Sequence, residues 1–300
     1  MSWIGFALGY AVLIAISNIF DKTVQYRYTR TPLTLPLLIG IAHTLIGVVV
    51  MLIAGVPAGV PMSATFLIFI SGTLLGLGGL FMVLALYRTE VSRVVSITQT
   101  SPIFAAIFAV LFLGESLTAL QWAAVVATVV GAIMISAKVG SGFGFTLERY
   151  FFLLMFAATI TAAGNVIGKA ALDDLPVLYA HGVRSFGLGT LFLLASTRGE
   201  SLRSVATLVR QRSPGLLVFG FSELFLANVG LLFLLMALSL GPASLVLAVV
   251  GTRTMFVVVI STALALLWKG ALGERTTRQA ITIKAGSAAL IVASLAVIST

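Results

Sequence analysis

Cysteine is absent from the 300 residues, and charge is scarce. The first absence excludes disulfides and thiolate chemistry. The second excludes a water-soluble domain. Asp, Glu, Lys and Arg make up 9% of the chain, against roughly 25% in soluble globular proteins. Acids are rarest, nine against eighteen Lys and Arg, for a net charge of +9. Only two histidines occur, His43 and His181, so a His-rich metal site has little to draw on. No Cys/His group has metal spacing, and no cofactor is expected. "NVIGKAA" at 165–171 lacks the first glycine of a phosphate-binding loop and lies in an apolar run. Nothing marks an enzyme, and no catalytic residue is expected.

What is abundant is apolar sequence, 60% of the chain. A helix crossing a hydrocarbon layer of about 30 Å needs about 20 mostly apolar residues. That criterion predicts ten spans, at 3–20, 33–54, 63–86, 91–113, 117–137, 149–172, 176–196, 214–239, 243–268 and 279–298. The first has no basic segment before it and reads as a retained span, not a cleaved signal. The odd-numbered loops hold fourteen Lys and Arg, Lys22 and Arg27 among them, and the even-numbered loops and termini hold none. Basic loops stay cytoplasmic, so both termini are expected outside. Asp21 is assigned to the first inside loop by the same partition.

The chain also repeats. "SNIFDK" (17–22) matches "GNVIGK" (164–169), and 81–104 matches 233–256 at a shift of 152 residues. "LGES" (113–116) matches "LGER" (272–275). Five spans is an odd number, so a second copy would be inverted. Residues 1–139 and 140–300 are then two inverted five-helix repeats of one all-α membrane unit. Such repeats characterise carriers with a midplane site.

These features resemble the EamA-like family of the drug/metabolite transporter superfamily. The likeness rests on the two five-span halves and on 85–136, with Pro102, "LGE" at 113–115 and Gly131. It implies an inner-membrane carrier, commonly an exporter of amino acids or other small metabolites. Two departures stand out. The first span reads "AVLIAISN" where relatives often have Trp-Gly. Thr254, preceded by Arg253, replaces the span-four proline in the second copy.

Charges within spans are costly and so face a bundle interior or watery cavity. Lys169, Arg184, Arg253 and Lys284 are the four span cations, and Glu223 the one span acid. Arg184, Glu223 and Arg253 fall near mid-depth. Lys284 and Lys169 lie nearer the ends, where they can snorkel. Glu223 is expected to pair with one arginine, leaving the other guanidinium for an anion, which it fits bidentately. Fixed structural pairing is the alternative. Asn18, His43, Gln99, Asn165 and His181 complete the candidate substrate set, with His43 as easily a packing residue. Glu115 and Glu274 are read as compensating the helix N-termini of spans five and ten. Gly72/Gly76 and Ser185/Gly189 predict close helix contacts.

The expected function is secondary-active transport of a small anionic or zwitterionic solute, amino acids first, by alternating access. A proton-coupled exporter of cationic or lipophilic drugs using Glu223 is the alternative, and a membrane enzyme on lipid-linked substrates is a remote one. The expected partners are the solute, the bilayer and a proton or counter-substrate, without nucleic acid.

Overall fold

The computed structural model describes residues 2–29, 31–88, 94, 97, 98, 100–136 and 149–267, with isolated positions between 282 and 293. Its described residues are helical throughout, without strands. The expected tenth span lies almost wholly outside them, as do Gln99, Glu274 and Lys284.

Three long helices open the chain: α1 (Trp3–Arg27), α2 (Thr34–Ala54) and α3 (Met62–Leu86). Shorter ones follow, α4 (Ser101–Leu113) and α5 (Ala119–Ser136). Gly114 ends α4 in the left-handed region at φ 67°, which a Cβ would strain. Then come α6 (Arg149–Ala171), α7 (Val177–Ser196) and the short α8 (Gly199–Arg210). The eighth expected span is one continuous rod, α9 (Pro214–Gly220), a π segment (Phe221–Ala227) and α10 (Asn228–Leu240). The ninth divides into α11 (Ala243–Val250) and α12 (Arg253–Leu267). Among the described residues, α1, α2, α3, the Tyr150–Ala171 stretch of α6, α7 and the Pro214–Leu240 rod are long and apolar enough to cross a bilayer.

Several boundaries differ from the sequence reading. α1 continues to Arg27, so Asp21 and Lys22 are buried in a helix and not in a loop. An apolar-run criterion stops at the first charge. The helix continues because its charges have partners: Lys22 Nζ donates to the Leu86 carbonyl at the end of α3, at 2.5 Å. The basic stretch after α7 contains α8, whose Ser201 and Leu208 face inward while Leu202, Arg203, Val209 and Arg210 are exposed. Glu115 does not serve its own helix. It accepts from the backbone N–H of Ala243 (2.6 Å) and Ser244 (3.1 Å) and from the Ser244 hydroxyl, and so caps α11.

Glycines set how closely the long helices meet. A Cβ on Gly72 or Gly76 of α3 would strike the α7 backbone at Arg184 or Leu188, so these two helices run parallel in near-contact. Antiparallel α2 and α7 meet at four glycines: Gly40 against Leu193, Gly47 against Phe186, Gly182 against Met51 and Gly189 against Thr44. Gly78 of α3 faces Thr161 of α6, and Gly230 of α10 faces Ile14 of α1.

The ninth rod breaks at Gly251–Thr252, where the Thr252 hydroxyl donates to the Val249 carbonyl at 2.8 Å. The start of α4 has the same device, the Thr100 hydroxyl donating to the Ile97 carbonyl at 2.9 Å. Each broken helix frees backbone groups that a buried hydroxyl then satisfies.

Candidate functional site

Two buried polar clusters lie along the helices that line the interior. The first surrounds Arg184, the eighth residue of α7 and 3% exposed. Its Nε donates to Ser71 Oγ of α3 at 3.0 Å and its Nη2 to Asn165 Oδ1 of α6 at 2.6 Å. The Ser71 hydroxyl passes its own hydrogen to the Gly164 carbonyl at 2.6 Å. Nη1 is buried without a hydrogen-bond partner. Arg184 has no carboxylate against it among the described residues. Tyr10 of α1 lies within electrostatic range. Gly168 leaves the room, since a Cβ there would press on Ser71 Oγ and the guanidinium.

The second cluster surrounds Glu223, which sits in the π segment. His43 Nε2 of α2 lies 3.1 Å from Glu223 Oε2, and the proton between them can sit on either atom. The Asp21 carboxyl of α1 and the Ser17 hydroxyl lie beside the Glu223 carboxyl. The Ser222 hydroxyl reaches Asp21 Oδ1 at 3.2 Å and lies 2.9 Å from Ser17 Oγ. A hydrogen bond between two carboxyls needs a proton on one of them. All five side chains are buried. The π segment adds a residue to the turn, a feature that recurs at functional sites.

His181 stands between the clusters, within electrostatic range of both His43 and Arg184. Its Nε2 pairs with Asn228 Oδ1 at 2.6 Å and therefore carries the hydrogen. One call from sequence is overturned here. Glu223 does not pair with an arginine; its partners are His43, Asp21 and Ser17. Depth along a helix fixes the level of a residue, but not which helices stand beside it.

Of the other expected site residues, Asn165 joins Arg184 directly, and Asn18 is buried one turn before Asp21 with its Nδ2 unpartnered. Arg253 is the first residue of α12, buried just beyond the break. Lys169 donates to the Leu238 carbonyl at the end of α10 at 2.7 Å, so it is a tie between helices and not a snorkelling group. Gln99 and Lys284 fall outside the described residues. Asp21, Ser71, Ser222 and Asn228 were missed. For Asp21 a signal existed, since Ser17, Asn18 and Asp21 share a helix face at i, i+1 and i+4. Among the described residues, no group of His, Asp and Glu has the arrangement to hold a metal.

Residues 1–137 match the model of the EamA-like transporter family, part of the drug/metabolite transporter superfamily. Over this stretch the chain is similar to the EamA-like transporters. A solved structure titled only "Crystal structure of protein" superposes with a TM-score of 0.63 over 98% of this chain and 96% of its own, at 17% identity. At that identity the likeness is one of fold alone. No curated protein matches the chain. The two interior clusters lie among helices long and apolar enough to cross a bilayer.

Proposed function

We propose that this EamA-like chain is a secondary carrier for small carboxylate-bearing solutes, amino acids first, built as two inverted five-helix repeats that alternate access to a central site. The repeat is supported by contacts that occur twice. Lys22 ties α1 to the Leu86 carbonyl, and Lys169 ties α6 to the Leu238 carbonyl. The lysines are related by a shift of 147 residues and the leucines by 152, the shifts that align the two halves in sequence. The Gly78–Thr161 and Gly230–Ile14 contacts are related by the same two shifts, with the halves exchanged. The α2–α7 contacts reciprocate likewise at a shift of 142: Gly40–Leu193 with Gly182–Met51, and Gly47–Phe186 with Gly189–Thr44. Contacts that exchange partners in this way are what a two-fold relation produces. The breaks at Thr100 and Thr252 also correspond at 152. Because α3 and α6 run antiparallel, an even number of crossings separates them, which suits α4 and α5 as two further spans. Basic odd-numbered loops support cytoplasmic placement for that side and an outer location for both termini.

One observation carries the substrate reading. Arg184 is a buried guanidinium held by neutral partners, with Nη1 open and the nearby acids engaged with each other and with His43. A buried charge without a counter-charge costs several kcal/mol. A substrate carboxylate would supply that counter-charge. Catalysis has no support, because the family is one of transporters and neither cluster presents a nucleophile with its base. The cationic-drug alternative gains less, because Glu223 is enclosed by His43, Asp21 and Ser17.

Thermal shift of the purified protein against amino acids and other carboxylates tests this. A ligand that binds only the folded protein raises its stability by mass action. The wild type should show a saturable stabilisation. Arg184→Ala should lose it, because a charge-assisted hydrogen bond contributes about 1.5–3 kcal/mol, or roughly 10- to 100-fold in affinity. An undiminished response in folded Arg184→Ala removes Arg184 from the site.

A further inference from the structure

The cluster around Glu223 and the cluster around Arg184 are built at positions that the repeat relates to each other. At the shift of 152, Glu223 stands where Ser71 stands; at 147, Asp21 stands where Gly168 stands, and Asn18 where Asn165 stands. The local partners correspond as well, though the atoms differ: Ser71 donates to the backbone carbonyl of Gly164, and Glu223 meets the side chain of Ser17, the residue equivalent to Gly164. The two equivalent sites thus carry opposite charge, a guanidinium at one and a carboxyl pair at the other. The acid pole offers no room for a second solute group. Its carboxyls are buried and occupied by one another, by two serines and by His43. The smallest cation, a proton, is what such a closed carboxyl pair accommodates.

We propose that Asp21, Glu223 and His43 form a proton-binding site that couples proton movement to the conformational change of the carrier. The proposal rests on the carrier reading. Asp21 lies on α1 of the first half and Glu223 on the π segment of the second, so the shared proton bonds the halves to each other. Its departure leaves two carboxylates facing across that contact, and like charges there repel. The interface then has one protonated arrangement that closes it and one deprotonated arrangement that opens it. His43 provides an exit. Nε2 faces Glu223, and Nδ1 is buried without a partner. Glu223 gives its proton to Nε2 and becomes a carboxylate; the imidazolium, whose Nδ1 has no acceptor in the closed site, hands its Nδ1 proton to a water admitted on opening and returns to neutral.

The surroundings are sparse in other charge. α2 carries no titratable residue besides His43, and α9 and α10 carry none. α1 adds Tyr10, Lys22, Tyr26 and Arg27, of which Lys22 is directed at the Leu86 carbonyl. α7 contributes Tyr179, His181 and Arg184.

Infrared titration of the full chain in nanodiscs reads the site without a substrate. The wild type should show the C=O stretch of a buried protonated carboxyl that disappears as pH rises. Asp21→Asn and Glu223→Gln, both near-isosteric, should each remove or displace that band, and His43→Phe should slow its exchange with deuterium at least tenfold. Absence of the band from the wild type, or its persistence in the doubly substituted chain, overturns the proposal. Pyranine-loaded proteoliposomes given a mixture of the twenty amino acids read the coupling. Solute entry with proton movement in the wild type, and labelled exchange without proton movement in Glu223→Gln, supports it. Solute flux without proton movement in the wild type overturns it and leaves the carrier reading intact. A titrating band in a wild type that passes no solute removes the carrier reading and the coupling, and leaves the proton site.

Discussion

Arg184 and Glu223 were both visible in the sequence as charges at bilayer depth, yet their partners were not. Hydropathy marks a charge as misplaced for lipid and so as inward-facing. It says nothing about the azimuth of a neighbour 113 or 180 residues away, such as Ser71 or His43. Asp21 was hidden for another reason. It sits beside Lys22 at the end of an apolar run, where a loop is the simpler reading. Glu115 shows the same limit. Its position before α5 suggests a cap for that helix, but it reaches across to Ala243 and Ser244 at the start of α11. Glu115→Ala leaves two N–H groups at that start without acceptors. A loss of about 1–3 kcal/mol is expected, read as a lower melting temperature in detergent, with Glu115→Gln intermediate. An unchanged melting temperature would mean that water caps α11 equally well.

Long elements were legible because the bilayer demands long apolar runs, and α2, α3, α6 and α7 lie close to their expected bounds. Three features were not. α8 is short and amphipathic, so an apolar-run criterion passes over it. The π segment around Glu223 leaves composition and length unchanged. The break at Gly251–Thr252 adds no proline, which would have announced it. Glycine spacing was more informative: Gly72/Gly76 predicted close contact and the structure places α7 there. Gly72→Val would drive a branched side chain into the Arg184 carbonyl, and overpacking of this kind costs about 1–3 kcal/mol. Since the same contact seats Arg184, solute affinity should fall along with stability. Gly199→Val, at an exposed position with open space around it, is the comparison that should leave solute affinity unchanged. Equal affinity in folded Gly72→Val and wild type would separate the α3–α7 contact from the site.

For the whole molecule, residues 1–137 match the EamA-like family model and the fold extends over the length of a solved structure of similar fold. The second half diverges most where charge is concerned, with Arg184 and Glu223 both in it and partners of each, Ser71 for the one and Asp21 and His43 for the other, in the first. Each pole therefore joins the two halves, and rocking one half against the other must remake both. That is the physical content of the carrier proposal. Its most direct test is counterflow of a labelled amino acid or other carboxylate-bearing solute in proteoliposomes. The account predicts saturable counterflow in the wild type and a loss of roughly 10- to 100-fold in apparent affinity in correctly folded Arg184→Ala. Counterflow in Arg184→Ala equal to the wild type, or a reconstituted wild type that passes none of these solutes, would contradict it.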